Sequence, residues 1–316
     1  MTDSHPLIFD RVPLAQWQEN AQDKPIFVLV ESVINPQVRT LADKALNESP
    51  SESPSESQEN CLYWGEMGRV HASISPYLLK LDSWEDFEET IAFQPNWGII
   101  LTLSEDKAKY ENPLFYLLNH IREWTFIEPP KDSGDQGPML LRLSDWDVLQ
   151  VLLNASNDVE LTSLFGPIEA FAYWHKDQDD VQQIRLKAKA QQTLAHRSPQ
   201  LISETQNSAL RAFAHRHQHK KYADHLKKHH GEVKNWSDED LSTFLLRNID
   251  TANQLKFNAE KDVVRYLSLA TVFGEQFVET PWAKQQLKKP AAIGTLSRMD
   301  MLYQRALEEL DKEPKG

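Results

Sequence analysis

Cysteine is nearly absent: Cys61 is the single one in 316 residues. That excludes an internal disulfide and any cysteine-based zinc cluster, and it suits a reducing compartment. Glycine is scarce too, at ten residues without a Gly-rich run. The one close pair, Gly65-x-x-Gly68, is too short to cradle a phosphate, so nucleotide binding is not expected. No apolar run approaches the roughly 20 residues that cross a bilayer, and the stretch around Asp3 and Pro6 lacks the basic-plus-apolar pattern of a leader. The expectation is a cytoplasmic protein with no stable membrane insertion. Nucleophilic signatures are missing as well. There is no Gly-x-Ser-x-Gly, and Cys61 has His71 ten residues on but no identifiable group to orient it. No catalytic constellation stands out, and no cofactor is implied.

What is present is an ordinary folding composition, 40% hydrophobic, in a chain long enough for two domains. Charge is uneven. Residues 1–180 hold 31 acidic and 12 basic side chains, net −19, whereas 181–316 hold 16 and 22, net +6. An acidic half disfavours nucleic acid and favours a partner with basic segments, although a solvated acidic surface that merely aids solubility gives the same count.

The chain then divides by period. Residues 1–24 read as an irregular arm with a helical turn near Trp17. Ile26 to Val30 is a short apolar run suited to a strand buried on both faces, and a short helix through Val38, Leu41 and Ala45 follows Asn35-Pro36. Ser49 to Glu59 repeats a Ser-Glu-Ser unit without an apolar residue and reads as a disordered surface loop. Leu62-Tyr63-Trp64 has strand character, Gly65 and Gly68 bracket a turn, and Tyr77, Leu79 and Leu81 share one face of a strand. Ser83 with Asp86 caps a helix carrying Trp84, Phe87 and Ile91. Its run of Glu85, Asp86, Glu88 and Glu89 suits a solvated helix face better than a general-acid pair. Trp97 to Leu103 is a second buried strand, and Asn112-Pro113 open a helix with Leu114, Leu117, Leu118, Ile121 and Trp124 on one stripe. A loop follows at Pro129-Pro130 and Asp132-Ser133-Gly134.

Residues 139–174 organise this half. Met139, Leu141 and Leu143 alternate as in a strand. Asp145 is placed to cap a helix with Val148, Leu149, Leu152 and Leu153, and Ile168, Ala170 and Ala172 alternate again towards Trp174. Residues 181–206 turn polar and read as a linker, helical from Val181 to Leu194. Beyond it, three stripes predict a helical bundle: Leu241–Leu255, Val263–Ala270 and Leu296–Leu310. Ser237 with Asp240, Asn258 and Gly274 stand as caps. The expected fold class is therefore α/β, an N-terminal mixed α/β sheet lobe (1–180) followed by a C-terminal all-α helical lobe (207–316).

Arg142-x-x-Asp145-x-x-Val148-Leu149 with Phe165-Gly166-Pro167-Ile168 resembles the type VI secretion adaptors called Tap or TEC chaperones, a family long described only as a domain of unknown function. Ser75-Pro76-Tyr77-Leu78-Leu79, Asn96-Trp97-Gly98-Ile99, Ser237 to Asp240 with Phe244, Ala252, Phe257 and Phe273-Gly274 extend the likeness over roughly Pro25 to Leu310. The chain departs from the family pattern at Ser144 and Trp146, which flank Asp145. The resemblance implies a non-enzymatic adaptor that grips a toxin effector by an N-terminal or apolar segment, shields it in the cytoplasm and loads it onto the trimeric VgrG spike.

Candidate contact residues for such an effector are Arg142, Asp145, Trp146, Phe165, Tyr173, Trp174 and Phe213. The aromatics that close the first lobe would line a cleft with the second. For Arg142 and Asp145 a plain alternative is an ion pair and a helix cap that only shape the turn. Six of the eleven histidines fall in 215–230 (His215, His217, His219, His225, His229 and His230). They leave open a metal-dependent hydrolase, but the HExxH acid is missing and the ring directions diverge around a helix. His217 falls beside Leu210 and Phe213 and reads as a core histidine. Deleting Ser49 to Glu59, which offers nothing to bury, is expected to leave the melting temperature within a few degrees by calorimetry. A large loss would mean that the segment is docked.

Overall fold

The computed structural model describes residues 6–22, 24–47, 60–103, 112–131, 137–187, 200–289, 292–293 and 296–312. Two compact units are resolved, Met1–Phe213 and Ala214–Gly316. The first is built on β1 (Leu7–Pro13), β2 (Ile26–Glu31), β3 (Pro76–Lys80), β4 (Gly98–Leu103), β7 (Ile168–His175) and β8 (Asp180–Leu186). They form a six-stranded sheet in the order β1-β8-β7-β4-β2-β3. Every neighbour in it is antiparallel. A smaller sheet joins β5 (Phe126–Glu128), β6 (Met139–Leu140) and β9 (Gln200–Leu201).

β4 lies inside the large sheet and is buried along its whole length. A strand so placed needs cover on both sides, and parity along β7 shows what provides it. On one face Trp174 packs on Trp84 and Phe87 of α4 (Trp84–Thr90), with Trp17 of α1 (Leu14–Ala21) against Trp84. On the other, Phe171 meets Phe165 and Tyr173 meets Trp146, which belong to α7 (Asp158–Phe165) and α6 (Trp146–Asn154). α5 (Pro113–Thr125) starts as its sequence predicts, with Asn112 accepting from the Phe115 N–H at 3.0 Å and Pro113 in the first turn. Two further helices are α2 (Val38–Asn47) and α3 (Gly65–His71).

Several expectations are corrected here. Residues 7–21 are no irregular arm: β1 pairs with β8, and α1 buries Trp17 and Ala21. Val181 to Leu186 is strand rather than helical linker, hydrogen-bonded on both sides by β1 and β7, and only Val181 and Ile184 are deeply buried in it. Leu62-Tyr63-Trp64 is not a strand. Cys61 makes an isolated bridge to Tyr77, and Gly65 and Gly68, read as bracketing a turn, sit in α3. The strand expected over Met139 to Leu143 stops at Leu140. The Ser-Glu-Ser repeat and Asp132-Ser133-Gly134 lie outside the described residues.

The division between units falls within α8 (Glu204–His229). The second unit continues through α9 (Asp238–Gln254), α10 (Glu260–Phe273), α11 (Pro281–Leu287), a short hairpin β10 (Ala292–Ile293) with β11 (Leu296–Ser297), and α12 (Arg298–Leu310). Its core includes Tyr222, Leu226, Phe244, Leu245, Tyr266, Leu267, Met299 and Leu302. The first two stripes are the buried sides of α9 and α10, but the third is only partly so: α12 buries Met299, Met301, Leu302 and Ala306, Leu307 and Leu310 are exposed, and Leu296 belongs to the hairpin. Ser237 caps α9 as expected, accepting from the Asp240 N–H at 3.0 Å. Asn258 does not cap α10, whose N-cap is Ala259. α12 has a full capping box: Ser297 accepts from the Asp300 N–H, and Asp300 accepts from the Ser297 N–H. That N–H, with Arg265 beside it, holds the Asp300 carboxyl far below the usual carboxylate range.

Tyr266 is the odd member of this core, because its hydroxyl is buried without a hydrogen-bond partner among the described residues. Burial first, and then the charge of Glu275, push its pKa up from 10.0 to about 12. The folded state thus holds this proton to higher pH than the unfolded chain. The stability it contributes is full below pH 10.0 and lost as pH rises through about 12. Tyr266→Phe is expected to flatten that part of the stability curve and to raise stability at pH 7 by about 1 kcal/mol by removing the unpaired hydroxyl, as read by urea unfolding at both ends of the range. A variant with the same alkaline fall as the parent would locate the titration elsewhere.

Candidate interaction surface

The turn between β6 and α6 carries the polar residues singled out by sequence. Asp145 caps α6, accepting from the N–H groups of Asp147 at 3.1 Å and Val148 at 3.2 Å. Arg142 pairs with a carboxylate, as the plain reading expects. Its Nε lies 3.3 Å from Oε1 of Glu31, the last residue of β2. The Ser144 hydroxyl donates to the same oxygen. Glu31 is sunk into the protein, its side chain 4% exposed against 49% for Arg142. Two donors on a buried carboxylate satisfy a charge that would otherwise be costly, and they tie the turn to the sheet. Burial, and next the Glu31 charge, push the nearby Tyr63 hydroxyl pKa up.

The candidate aromatics do not form a groove. Phe165 and Trp174 are almost fully buried, and Trp146 is 7% exposed, its Nε1 donating to Gln182 Oε1 at 3.3 Å. Tyr173 is half-buried, stacked between Trp97 at 5.7 Å and Trp146 at 5.9 Å, and its hydroxyl accepts from the Asn96 N–H. Burial raises its pKa. Phe213 is partly exposed on α8. Phe165, Tyr173 and Trp174 therefore serve the core of the first unit. Side chains without exposed area cannot anchor a partner unless the core opens.

A different surface of this unit fits recognition better. In the small sheet Phe126 stands directly opposite Leu140, and Glu128 opposite Leu201, so these four share one face while Ile127 points into the core. Leu140 is 46% and Leu201 48% exposed. Trp64, 41% exposed, meets Phe126 edge-on at 5.6 Å. From Trp64 the apolar surface runs on through Met67 and Val70, three residues apart on α3, to Ile74, all exposed. Scattered exposed apolar residues are unremarkable, but a set of this kind with two aromatics in contact is the sort of surface that interaction sites use. Sequence reasoning missed it because strands of two or three residues have too little alternation to register, and because Gly65 and Gly68 suggested a turn where α3 forms. The spacing of Trp64, Met67 and Val70 was the available signal.

Two other features offer less. A cleft of about 410 Å³ between α1 and the large sheet is crossed by Lys24–Glu169 and Arg185–Asp10 pairs, and its polar groups mostly satisfy one another. On α8, His217 is exposed, not a core histidine. Among the described residues no three His, Cys, Asp or Glu side chains are placed to hold a metal ion. Burial first lowers the pKa values of His219, His225 and His230, with neighbouring histidines adding to the effect. No helix among the described residues is long and apolar enough to cross a membrane.

Comparison with known families places a domain of unknown function (DUF4123) on residues 26–163, somewhat less than half of the chain. This span holds β2 to α6 and most of α7, including the Glu31–Arg142 pair, Asp145 and the exposed surface apart from Leu201. No curated protein and no solved structure matches the chain.

Burial separates scaffold from contact surface in a measurable way. Trp174→Ala is expected to lower the unfolding free energy by about 3–5 kcal/mol in denaturant titration, as for other buried tryptophans. Asp145→Ala should lose about 1 kcal/mol, the usual cost of a lost N-cap. Unchanged stability in Trp174→Ala would return that residue to the contact candidates.

Proposed function

We propose that the chain is a non-enzymatic adaptor and chaperone of type VI secretion, which holds a toxin effector in the cytoplasm and delivers it to the VgrG spike. The observation that carries this reading is the family match over 26–163, in the region where the sequence also resembles the Tap or TEC adaptors. The exposed surface of Trp64, Met67, Val70, Phe126 and Leu140 supports it, since a chaperone of apolar segments needs apolar area kept on its outside. Charge supports it as well. The first unit holds 32 acidic and 17 basic residues, net −15, so a toxin segment carrying both apolar and basic side chains is the partner it would attract.

The test is affinity purification of the tagged full chain from a bacterium with an active type VI system, with captured proteins identified by mass spectrometry. A toxin or spike protein encoded beside this chain is the expected capture, and its consistent absence would overturn the role. Trp64→Ala combined with Leu140→Ser should weaken toxin binding at least about tenfold while the melting temperature stays within a few degrees, because both side chains are substantially exposed. Full binding by that variant would move the contact to another face and leave the role standing.

A further inference from the structure

The histidines of α8 have no part in the proposed role, yet two of them are arranged for chemistry. Residues four apart on a helix lie one turn above each other on the same side. His225 and His229 have this spacing, and their ring centroids are 4.5 Å apart at an interplanar angle of 40°. The other such pair, His215 and His219, is wider at 6.4 Å and 68°. Two imidazole nitrogens bound side by side to one ion, each at about 2.0–2.1 Å, stand roughly 3 Å apart. Small rotamer changes bring the closer pair to that separation, and His229 is exposed and free to turn. Of the lysines around the pair, Lys228 lies close enough for its charge to act on His225, and two others are held by carboxylates. Lys221, one turn before His225 on the same side, bonds Glu260 at 2.6 Å, and Lys227 bonds Asp238 at 2.9 Å.

We propose that His225 and His229 form a chelating site for an exchangeable divalent transition-metal ion of the kind that prefers imidazole, copper(II) before nickel(II) or zinc(II). Two protein ligands leave the remaining positions to water. The ion is therefore exchangeable, and it is neither a structural centre nor the catalytic metal of a hydrolase.

The test uses the full chain without a histidine tag, freed of metal by chelator and titrated with Cu²⁺ alone in a non-coordinating buffer by calorimetry. About one equivalent is expected to bind at this site, with two equatorial nitrogens in the electron paramagnetic resonance spectrum and weaker binding of Ni²⁺. His225→Ala and His229→Ala should each weaken that equivalent at least tenfold, and His215→Ala should leave it unchanged. Neither variant removes a fully buried group, and far-ultraviolet circular dichroism checks that the helix persists. No binding above the buffer blank, an unchanged isotherm in His229→Ala, or loss of the same equivalent in His215→Ala would each overturn the assignment.

Discussion

Burial of β4 on both faces is the constraint from which the first unit follows. A strand without an exposed side chain has to be paired at both edges and roofed above and below, and β2, β7 and the two groups of helices do this. Close approach at its start sets the next step. Gly98 has φ +151, and a Cβ there would lie 1.9 Å from the Leu29 carbonyl oxygen, so only glycine lets β2 and β4 stay paired to Val30. Beyond that point the Glu31 N–H donates to the Trp97 carbonyl at 2.9 Å, and this carries the Glu31 carboxylate to Arg142 and Ser144. The turn capped by Asp145 is thus fixed by a glycine far away in sequence.

Legibility in the sequence followed burial. β2 and β4 are continuous apolar runs, and the helices opened by Asn112-Pro113, Asp145 and Ser237 carry both a cap and a stripe, so period and boundary signals agree. β8 was hidden because Gln182, Gln183 and Arg185 are neither apolar nor β-branched; its conformation comes from the two strands that pair with it. β1 was hidden for a different reason: Asp10 and Arg11 interrupt its apolar residues at the centre of an edge strand. Among the candidate contacts, Asp145 was legible as a cap because a cap is local, whereas Arg142 was legible only as half of an ion pair, since its partner Glu31 lies 111 residues away in the chain. The aromatics were not, because whether an aromatic anchors a core or a partner depends on what packs on it from elsewhere. Trp174 is covered by Trp84 and Phe87, about ninety residues earlier in the chain.

Where the family pattern and this chain diverge, the structure gives a physical reason for one of the two positions. Ser144 supplies the hydroxyl that joins Arg142 in bonding Glu31. Trp146 buries its ring against Tyr173 and spends its N–H on Gln182. Both flanks of Asp145 point inward, so variation there changes the scaffold and leaves the exposed apolar surface on α3 and the small sheet untouched.

Placing the unit boundary at Phe213 also alters the electrostatic argument. A cut at residue 180 gives halves of −19 and +6, but the units as folded carry −15 and +2, because Arg185, Lys187, Lys189, Arg197 and Arg211 all fall in the first. The second unit is close to neutral as a whole, with five Lys and Arg residues of its part of α8 set against the acidic first turn of α9. In the proposed role, selection of a basic partner would rest on the first unit, which also bears the exposed aromatics. An adaptor of that kind would use long-range attraction by the acidic unit to speed encounter and short-range apolar burial to hold the segment, both on the same unit.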